Sequence, residues 1–234
     1  MQLFYNPDIT ENTTQFTFPK DESKHIVKVL RKNTGDTLHI TNGKGWLFEA
    51  EVALPNSNKC LVSITSKSLQ PKRDYSLHLA VAPTKMNDRY EWFLEKATEI
   101  SIDTITPIIC DRSERKVIKP ERFERILQSA MKQSLNCYLP ELKDAVLFKD
   151  FIQQEFKGDQ FIAHCEETDR KSLKQALKPK TDITVLIGPE GDFSTKEIEM
   201  AMANKFIPVT LGPTRLRTET AAIVACHSVA FVNE

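Results

Sequence analysis

Apolar and polar residues alternate in short runs through the first third of the chain. This spacing predicts five short strands: Leu3–Tyr5, Phe16–Phe18, Leu38–Thr41, Trp46–Val52 and Leu61–Thr65. Between two of these strands, Asn42–Gly45 carries two glycines and predicts a hairpin turn. One short helix, Asp21–Arg31, interrupts the strands. The pattern up to residue 71 is therefore typical of a small β-barrel.

After a linker at Gln70–Asp74, predicted strands and helices alternate. The strands are Leu77–Ala82, Ile105–Ile109, Phe161–His164, Ile183–Ile187 and Val209–Leu211. The helices are Arg89–Ile100, Pro120–Leu135, Ser172–Leu177, Thr195–Ala203 and Thr218–Phe231. Such alternation predicts a parallel sheet with helices on both faces. The fold class is therefore α/β, with a domain at residues 72–234 that follows a β-barrel at residues 1–71.

Two of these helices carry informative apolar residues. In the helix Arg89–Ile100, we expect Trp92, Phe93, Ala97 and Ile100 on one buried side. The last helix is apolar around its circumference, because residues 221–226 and 229–231 leave little polar surface. A helix of that kind is expected to be buried on nearly every side.

Composition is that of an ordinary globular protein, with 40% hydrophobic and 27% charged residues among 234 and a formal net charge of zero. The neutral balance counts mildly against a nucleic-acid partner, because phosphate binding favours excess lysine and arginine. Residues 112–132 are nevertheless locally basic, which fits either a phosphate-binding surface or a solvated helix face with paired charges.

Cysteine and histidine spacing indicates no metal site. The five cysteines are scattered and odd in number, which favours a reducing compartment over disulfides. The five histidines are equally dispersed, without H-x-x-x-H or H-E-x-x-H. Residues 1–8 lack the basic and then apolar pattern of a signal peptide, and no apolar run is long enough to span a membrane. We therefore expect a soluble, cytoplasmic protein with no metal and no membrane partner.

The candidate ligand site lies in two turns near the C-terminus, Leu186–Phe193 and Leu211–Ala221. Each follows a predicted buried strand and precedes a helix, and two such turns side by side form a crevice where small molecules bind. Gly188, Gly191 and Gly212 let backbone groups approach a ligand without a Cβ in the way. Neither turn contains G-x-G-x-x-G or G-x-x-x-x-G-K-[ST], so the pattern names no cofactor. Two ordinary tight turns are the alternative interpretation.

The two turns read IGPEGDFSTKEIEMA and LGPTRLRTETAAIVA. They resemble the signatures of the SPOUT class of methyltransferases, and more narrowly those of the family that methylates N3 of a uridine in bacterial 16S ribosomal RNA (RsmE-type). The resemblance spans nearly the whole chain, with further matches at His25–Arg31, Lys85, Asp88–Arg89, Lys96–Glu99, Gln133–Ser134 and Pro140.

This resemblance implies an S-adenosylmethionine-dependent methyltransferase acting on small-subunit ribosomal RNA. It also implies a PUA-like or OB-like RNA-binding barrel, a SPOUT domain with a C-terminal trefoil knot, and a homodimer packed around the last helix. The cofactor would lie bent in the crevice, with the strand end at His164 and Cys165 as a third wall. The expected cofactor-binding residues are His164, Ile187, Gly188, Pro189, Glu190, Gly191, Leu211, Gly212, Leu216 and Thr218.

Uridine N3 is mostly protonated at neutral pH, so it becomes a good nucleophile only when its proton is removed or its anion is stabilised. Arg217 and Glu219 are the expected catalytic residues. Arg217 could stabilise negative charge on the O2 or O4 edge, and Glu219 could orient that arginine or take the proton. A structural pair at the start of the last helix is the alternative. For Glu190, holding the loop by accepting backbone N–H bonds is favoured over acting as a base.

Six basic residues are candidates for phosphate contacts, each with an ordinary surface charge as the alternative: Lys28, Arg31, Lys85, Arg89, Arg112 and Arg115. Lys96 and Glu99 are expected to form a helix-stabilising pair instead. Three positions depart from the family pattern, since Asp192 stands at a usual glycine, and Thr214 and Asn136 stand where arginine is common. An anion at Asp192 would crowd the cofactor loop, and the missing arginines would weaken RNA contacts.

Two rival functions stay open on the sequence. One is a non-catalytic RNA-binding or ribosome-assembly protein with a relic cleft, which Asp192 supports. The other is a SPOUT methyltransferase that acts on another RNA such as tRNA, which the match of the first seventy residues disfavours.

Overall fold

The computed structural model describes residues 1–166 and 169–234. These residues form two compact units, one made of residues 1–72 and 131–139 and the other of residues 73–130 and 140–234. The expected division after residue 71 did not include the short segment 131–139, which packs with the N-terminal unit. Within the described ranges, no helix is both long and apolar enough to cross a membrane.

The first unit is a five-stranded sheet with one helix. Its elements are β1 (Leu3–Tyr5), β2 (Gln15–Thr17), α1 (Lys20–Lys24), β3 (Thr37–Thr41), β4 (Trp46–Leu54) and β5 (Leu61–Leu69). The strand order is β1-β3-β4-β5-β2, with β1 parallel to β3 and the other pairs antiparallel. Phe4, Phe18, Ile26 and Phe48 lie in its core. The five strands predicted from the sequence are confirmed.

The predicted helix of this unit is shorter than expected. A π-helical turn, His25–Val29, continues α1. Two residues later, Arg31 has a φ of 54°, in the left-handed region where a right-handed helix cannot continue. The expected end at Arg31 is therefore wrong by two residues.

Glycines shape the turn between β3 and β4, where Gly43 and Gly45 have φ values of 73° and 95°. The hairpin predicted there is confirmed by the antiparallel pairing of the two strands. The segment 131–139 closes on this turn, because Leu139 N–H donates to the Gly43 carbonyl at 2.9 Å. The Tyr138 hydroxyl donates to the Gln70 carbonyl at 2.8 Å, which ties the end of β5 to the same segment.

The second unit is a parallel sheet with helices. Its strands are β6 (Leu77–Val81), β7 (Thr104–Ile109), β8 (Glu141–Leu142), β9 (Val146–Leu147), β10 (Asp159–Ala163), β11 (Lys171–Ser172), β12 (Ile183–Ile187) and β13 (Ile207–Thr210). Its helices are α2 (Asn87–Glu99), α3 (Pro120–Gln133), of which the last three residues belong to the first unit, α4 (Phe148–Phe151), α5 (Leu173–Ala176), α6 (Thr195–Ala203) and α7 (Thr218–Val232). The strand order is β11-β13-β10-β12-β6-β7-β8, with β9 paired to β7 and all pairs parallel.

Helices cover both faces of this sheet, because all five residues of β12 are buried although their side chains alternate between the faces. One face carries Ala80, Ile108, Ile162 and Leu186, which form a core with residues of α4 and α6. The helix α7 packs against β6 and β12 and against α2 and α5. The predicted α/β fold with a parallel sheet is confirmed. The short elements β8, β9, β11 and α4 were not predicted.

The buried side of α2 differs from the expectation in two residues, Trp92 and Ile100, of which Ile100 is half-buried just beyond the end of the helix. Trp92 is 44% exposed, whereas the buried residues of this helix are Tyr90, Phe93, Leu94, Ala97 and Thr98. These five repeat at spacings of three and four and define a single face, from which Trp92 is displaced. The predicted Lys96–Glu99 pair is confirmed, with Nζ 2.9 Å from the carboxylate.

The last helix is not buried all round within one chain. Ala222, Ala225, Cys226 and Val229 form its buried stripe at helical spacing, while Phe231 is 60% exposed. The expectation of burial on nearly every side is therefore wrong for the single chain. One apolar side of α7 faces outward.

Candidate functional site

Three strands that are neighbours in the sheet place the loops of the candidate site. β13, β10 and β12 are adjacent and parallel, so the loops that follow them leave from one edge of the sheet. These loops begin at His164, Gly188 and Leu211. This is the carboxyl edge, where open α/β sheets bind ligands.

The loop after β12 is held by contacts within the second unit. The Gly188 carbonyl accepts a hydrogen bond from the Thr218 hydroxyl at 3.0 Å, which joins this loop to the start of α7. A Cβ on Gly188 would lie 3.1 Å from the Phe193 ring, closer than most real Cβ contacts. At the end of the loop, Ser194 and Glu197 form a capping box that starts α6. The expected helix start is thus confirmed.

Two adjoining cavities of about 490 and 280 Å³ lie between these loops. Their shared walls are Ala163, Cys165, Asp192, Arg215, Leu216 and Ala221. The larger cavity is also lined by His164, Gly191, Leu211 and Gly212. The smaller cavity is also lined by Ile187, Gly188, Pro189, Glu190 and Thr218. With the shared Leu216, all ten expected cofactor-binding residues line this cleft.

His164 is a buried residue of the larger cavity whose ring is unused by the protein. Neither ring nitrogen has a hydrogen-bond partner among the described residues. Burial lowers the pKa of His164, the Arg170 charge lowers it further, and the Asp192 charge opposes both. A neutral imidazole offers one donor and one acceptor to a ligand.

Asp192 bridges two of the loops. Its Oδ2 accepts the Cys165 N–H at 2.7 Å, and its Oδ1 accepts the Phe193 N–H at 2.8 Å. The carboxylate is therefore taken up by two backbone donors. It does not stand free in the cleft as the sequence suggested.

Glu190 also binds a neighbouring loop. Its Oε1 accepts the Lys85 N–H at 2.8 Å, which links the loop after β12 to the loop after β6. The favoured expectation, that this carboxylate accepts a backbone N–H, is confirmed. Its Oε2 is buried and has no hydrogen-bond partner among the described residues.

Arg217 and Glu219 are not paired with each other. Arg217 is an exposed residue that precedes α7 and lines the smaller cavity, and its guanidinium makes no hydrogen bond or ion pair with the residues that the structure describes. Glu219 is 7% exposed, and its Oε1 lies 3.9 Å from Nε of Arg89. The alternative interpretation, a structural pair between Arg217 and Glu219, is therefore wrong. Glu219 on α7 instead lies beside Arg89 on α2.

Two arginines expected to contact phosphate instead donate to backbone carbonyls of the cleft loops. Arg112 Nη1 donates to the carbonyls of Gly191 and Phe193 at 2.9 and 3.2 Å. Arg115 Nε donates to the carbonyl of Thr84 at 3.0 Å, and its Nη2 donates to the next carbonyl at 2.7 Å. The two side chains hold loops that follow β12 and β6.

Three of the other basic candidates, Lys85, Lys28 and Arg31, are exposed. Lys85 Nζ lies 2.7 Å from the Glu114 carboxylate, with both side chains largely exposed. Lys28 and Arg31 are exposed on the first unit. Thr214, at a position where arginine was expected, is an exposed wall of the larger cavity.

Sequence reasoning missed Glu166, Arg170, Val209 and Thr210 as walls of the larger cavity. Pro213, Thr214 and Arg215 lie within the second predicted turn but were not among the expected cofactor-binding residues. All lie in the strand ends and loops already named, so their proximity to the expected residues was the available signal. Among the residues that the structure describes, no group of three or more side chains could hold a metal ion.

The fold and the cleft define an RNA methyltransferase. Residues 71–230 match the family model described as RNA methyltransferase domain, and residues 18–65 match the model described as RNA methyltransferase PUA domain. The first match covers more than half of the chain. The chain therefore belongs to this family of RNA methyltransferases, and the α/β fold with a PUA domain expected from the sequence is confirmed.

Individual relatives agree along at least 90% of their own length. The Buchnera aphidicola protein named Ribosomal RNA small subunit methyltransferase E is 30% identical over 96% of this chain and 90% of its own length. The crystal structure of a "probable rRNA-methyltransferase from Porphyromonas gingivalis" matches with a TM-score of 0.92 and 39% identity, covering 100% and 98% of the two chains. A Legionella pneumophila protein, whose structure contains the bound cofactor SAM, matches with a TM-score of 0.87 and 28% identity over 99% and 97%.

Proposed function

We propose that this chain transfers a methyl group from S-adenosylmethionine to N3 of a uridine in 16S ribosomal RNA. The observation that carries the proposal is the cleft at the carboxyl edge of β10, β12 and β13, lined by all ten expected cofactor-binding residues. The names of the relatives support the substrate, and the SAM-bound Legionella relative supports the cofactor.

The residues of the cleft fit S-adenosylmethionine. The unpartnered His164 ring offers a donor and an acceptor to a polar edge of the cofactor. Gly212 has empty space within 4 Å of where a Cβ would stand, so the cofactor can approach the backbone closely there. When bound, the cofactor supplies the electrophilic methyl group. The protein then has mainly to hold that group in line with the nucleophile.

For the uridine, the proposal assigns charge stabilisation to Arg217 and proton acceptance to Glu219. Arg217 is exposed at the smaller cavity and is free to reach a pyrimidine oxygen. Glu219 keeps one buried carboxylate oxygen without a partner among the described residues, while Arg89 lies beside the other oxygen.

The proposal also covers the N-terminal unit and the assembly. We propose that the N-terminal unit binds RNA, with Lys28 and Arg31 as exposed basic contacts. The outward apolar side of α7, including the exposed Phe231, supports a homodimer packed around this helix. The trefoil knot and a cytoplasmic location are further parts of the proposal. Sedimentation of the purified protein at micromolar concentration tests the dimer, and a monomer would contradict it.

Cofactor binding and product analysis test the function. Calorimetry should give a micromolar dissociation constant for S-adenosylmethionine. Incubation with small-subunit rRNA from cells lacking the gene should then produce 3-methyluridine, which mass spectrometry of nuclease digests detects. Methylation of tRNA alone would favour the rival substrate. Absence of cofactor binding would favour a non-catalytic RNA-binding protein.

A further inference from the structure

Asp192 has a backbone conformation that residues other than glycine seldom adopt. Its φ is 62°, in the left-handed region that glycine enters freely and other residues enter at a cost. Its N–H donates to the Pro189 carbonyl at 2.9 Å, which closes the turn after β12. A residue that persists in this conformation is held there by its surroundings.

The Asp192 carboxylate connects two loops that are distant in sequence. Cys165, whose N–H it accepts at 2.7 Å, belongs to the loop after β10 and is 27 residues away. Phe193, whose N–H it accepts at 2.8 Å, belongs to the loop after β12. Both distances lie within the normal range of N–H···O hydrogen bonds. A glycine at this position would satisfy neither donor.

This connection lies at the centre of the cleft. Asp192 lines both cavities, and the loop that it holds presents the buried His164 to the larger one. The carbonyl of His164 itself accepts a hydrogen bond from the Arg170 guanidinium. Two side chains therefore fix the backbone around His164.

We infer that Asp192 is a positioning residue that fixes the loop after β10 in its cofactor-binding conformation through the Cys165 N–H. The inference rests on the proposed function for the identity of the cofactor. A loop that is ordered before binding loses less conformational entropy when the ligand arrives. Removal of the carboxylate should therefore weaken cofactor binding and leave the methyl-transfer step unchanged.

Two variants and one control test this role. Asp192→Gly removes both bonds and also relieves the backbone, whereas Asp192→Asn can keep one acceptor. Lys205→Gly relieves a similar φ of 70° at an exposed residue after α6, so it controls for backbone relief alone. The measurements are calorimetry with S-adenosylmethionine, steady-state methylation of rRNA, and hydrogen exchange of the Cys165 amide in the ligand-free protein.

We expect Asp192→Gly to weaken cofactor binding about tenfold, equivalent to about 1.4 kcal/mol. The KM for the cofactor should rise in parallel, with kcat within about twofold of wild type. Asp192→Asn should lie between the two, and Lys205→Gly should match wild type. The Cys165 amide should exchange faster in Asp192→Gly.

Several results would overturn the inference. Equal or tighter cofactor binding by Asp192→Gly would mean that the carboxylate is neutral or crowds the cleft. A fall in kcat with an unchanged KM would contradict positioning of the cofactor loop. If wild type does not bind S-adenosylmethionine, the proposed function fails. Hydrogen exchange of the Cys165 amide still tests the inference in that case, because an unchanged exchange rate in Asp192→Gly would show that Asp192 does not order the loop.

Discussion

Replacement of Arg112 by alanine should loosen the cleft, although the sequence marked this residue as a phosphate contact. Its guanidinium makes two hydrogen bonds, at 2.9 and 3.2 Å, to carbonyls of the loop after β12. Each such bond contributes about 0.5–1.5 kcal/mol net, and the exposure of Arg112 favours the lower part of this range. We therefore expect a loss of about 1–2 kcal/mol in the free energy of unfolding.

Thermal denaturation of the ligand-free protein measures this loss. At roughly 2–4 °C per kcal/mol for a protein of this size, the midpoint should fall by about 2–8 °C. Arg112→Lys keeps the charge, but its Nζ ends one atom short of the Nη1 that contacts both carbonyls, so it should recover only part of the loss. Lys116→Ala, at an exposed residue in the same loop, is the control and should change neither the midpoint nor cofactor binding.

The salt dependence of RNA binding tests the alternative interpretation, in which Arg112 contacts phosphate. If Arg112 instead contacts phosphate, its loss should reduce the slope of log affinity against log salt by about 0.7–0.9. Arg112→Lys should then largely preserve that slope. An unchanged denaturation midpoint together with a reduced salt slope in Arg112→Ala would refute the reasoning from the two carbonyl contacts.

Three further predictions follow from the same contacts. Arg217→Ala should retain cofactor affinity within about threefold in calorimetry yet slow single-turnover methylation by about 10²-fold or more, and unchanged turnover would remove Arg217 from catalysis. Gly45→Ala should lower the free energy of unfolding in denaturant by over about 2 kcal/mol, because its Cβ would collide with the Tyr138 hydroxyl. Gly35→Ala is the control, since Gly35 has a similar φ but open space around it, and it should lower the same free energy by only about 1–2 kcal/mol. Equal losses would contradict the collision. Burial lowers the pKa of His78 to about 4, so between pH 6.5 and 4 the unfolded chain binds a proton at this residue and the folded chain does not. The free energy of unfolding should therefore fall by up to about 3 kcal/mol as the pH drops through that range. The same pH dependence in a His78→Gln variant would show that His78 is not its cause.

The longer elements could be predicted from the sequence because each carries its own periodicity. β12 matches its prediction at both ends, and the Ser194–Glu197 capping box marks the start of α6. The two-residue strands β8, β9 and β11 carry no measurable period. These strands form because β8 and β9 pair with β7, and β11 pairs with β13. Such pairing depends on the tertiary fold and leaves no local pattern in the sequence.

The walls of the cleft were predictable because the two turns resemble the motifs of a known methyltransferase family, whereas their spacing alone also fits ordinary tight turns. The partners of the charged side chains were not. Arg89 and Glu219 are 130 positions apart, and nothing in the local pattern of α2 indicates a partner on α7. The role of Asp192 was equally hidden, because only the positions of the Cys165 and Phe193 N–H groups show why a carboxylate is useful there.

The segment 131–139 has a consequence for synthesis of the chain. Domains generally fold in order as they leave the ribosome. Here the Gly43 and Gln70 carbonyls receive their hydrogen bonds from Leu139 and Tyr138. The N-terminal unit can therefore be completed only after β6, α2, β7 and α3 have been translated. A gene fragment that stops at residue 72 encodes all five strands of this unit but not the segment that closes its hairpin.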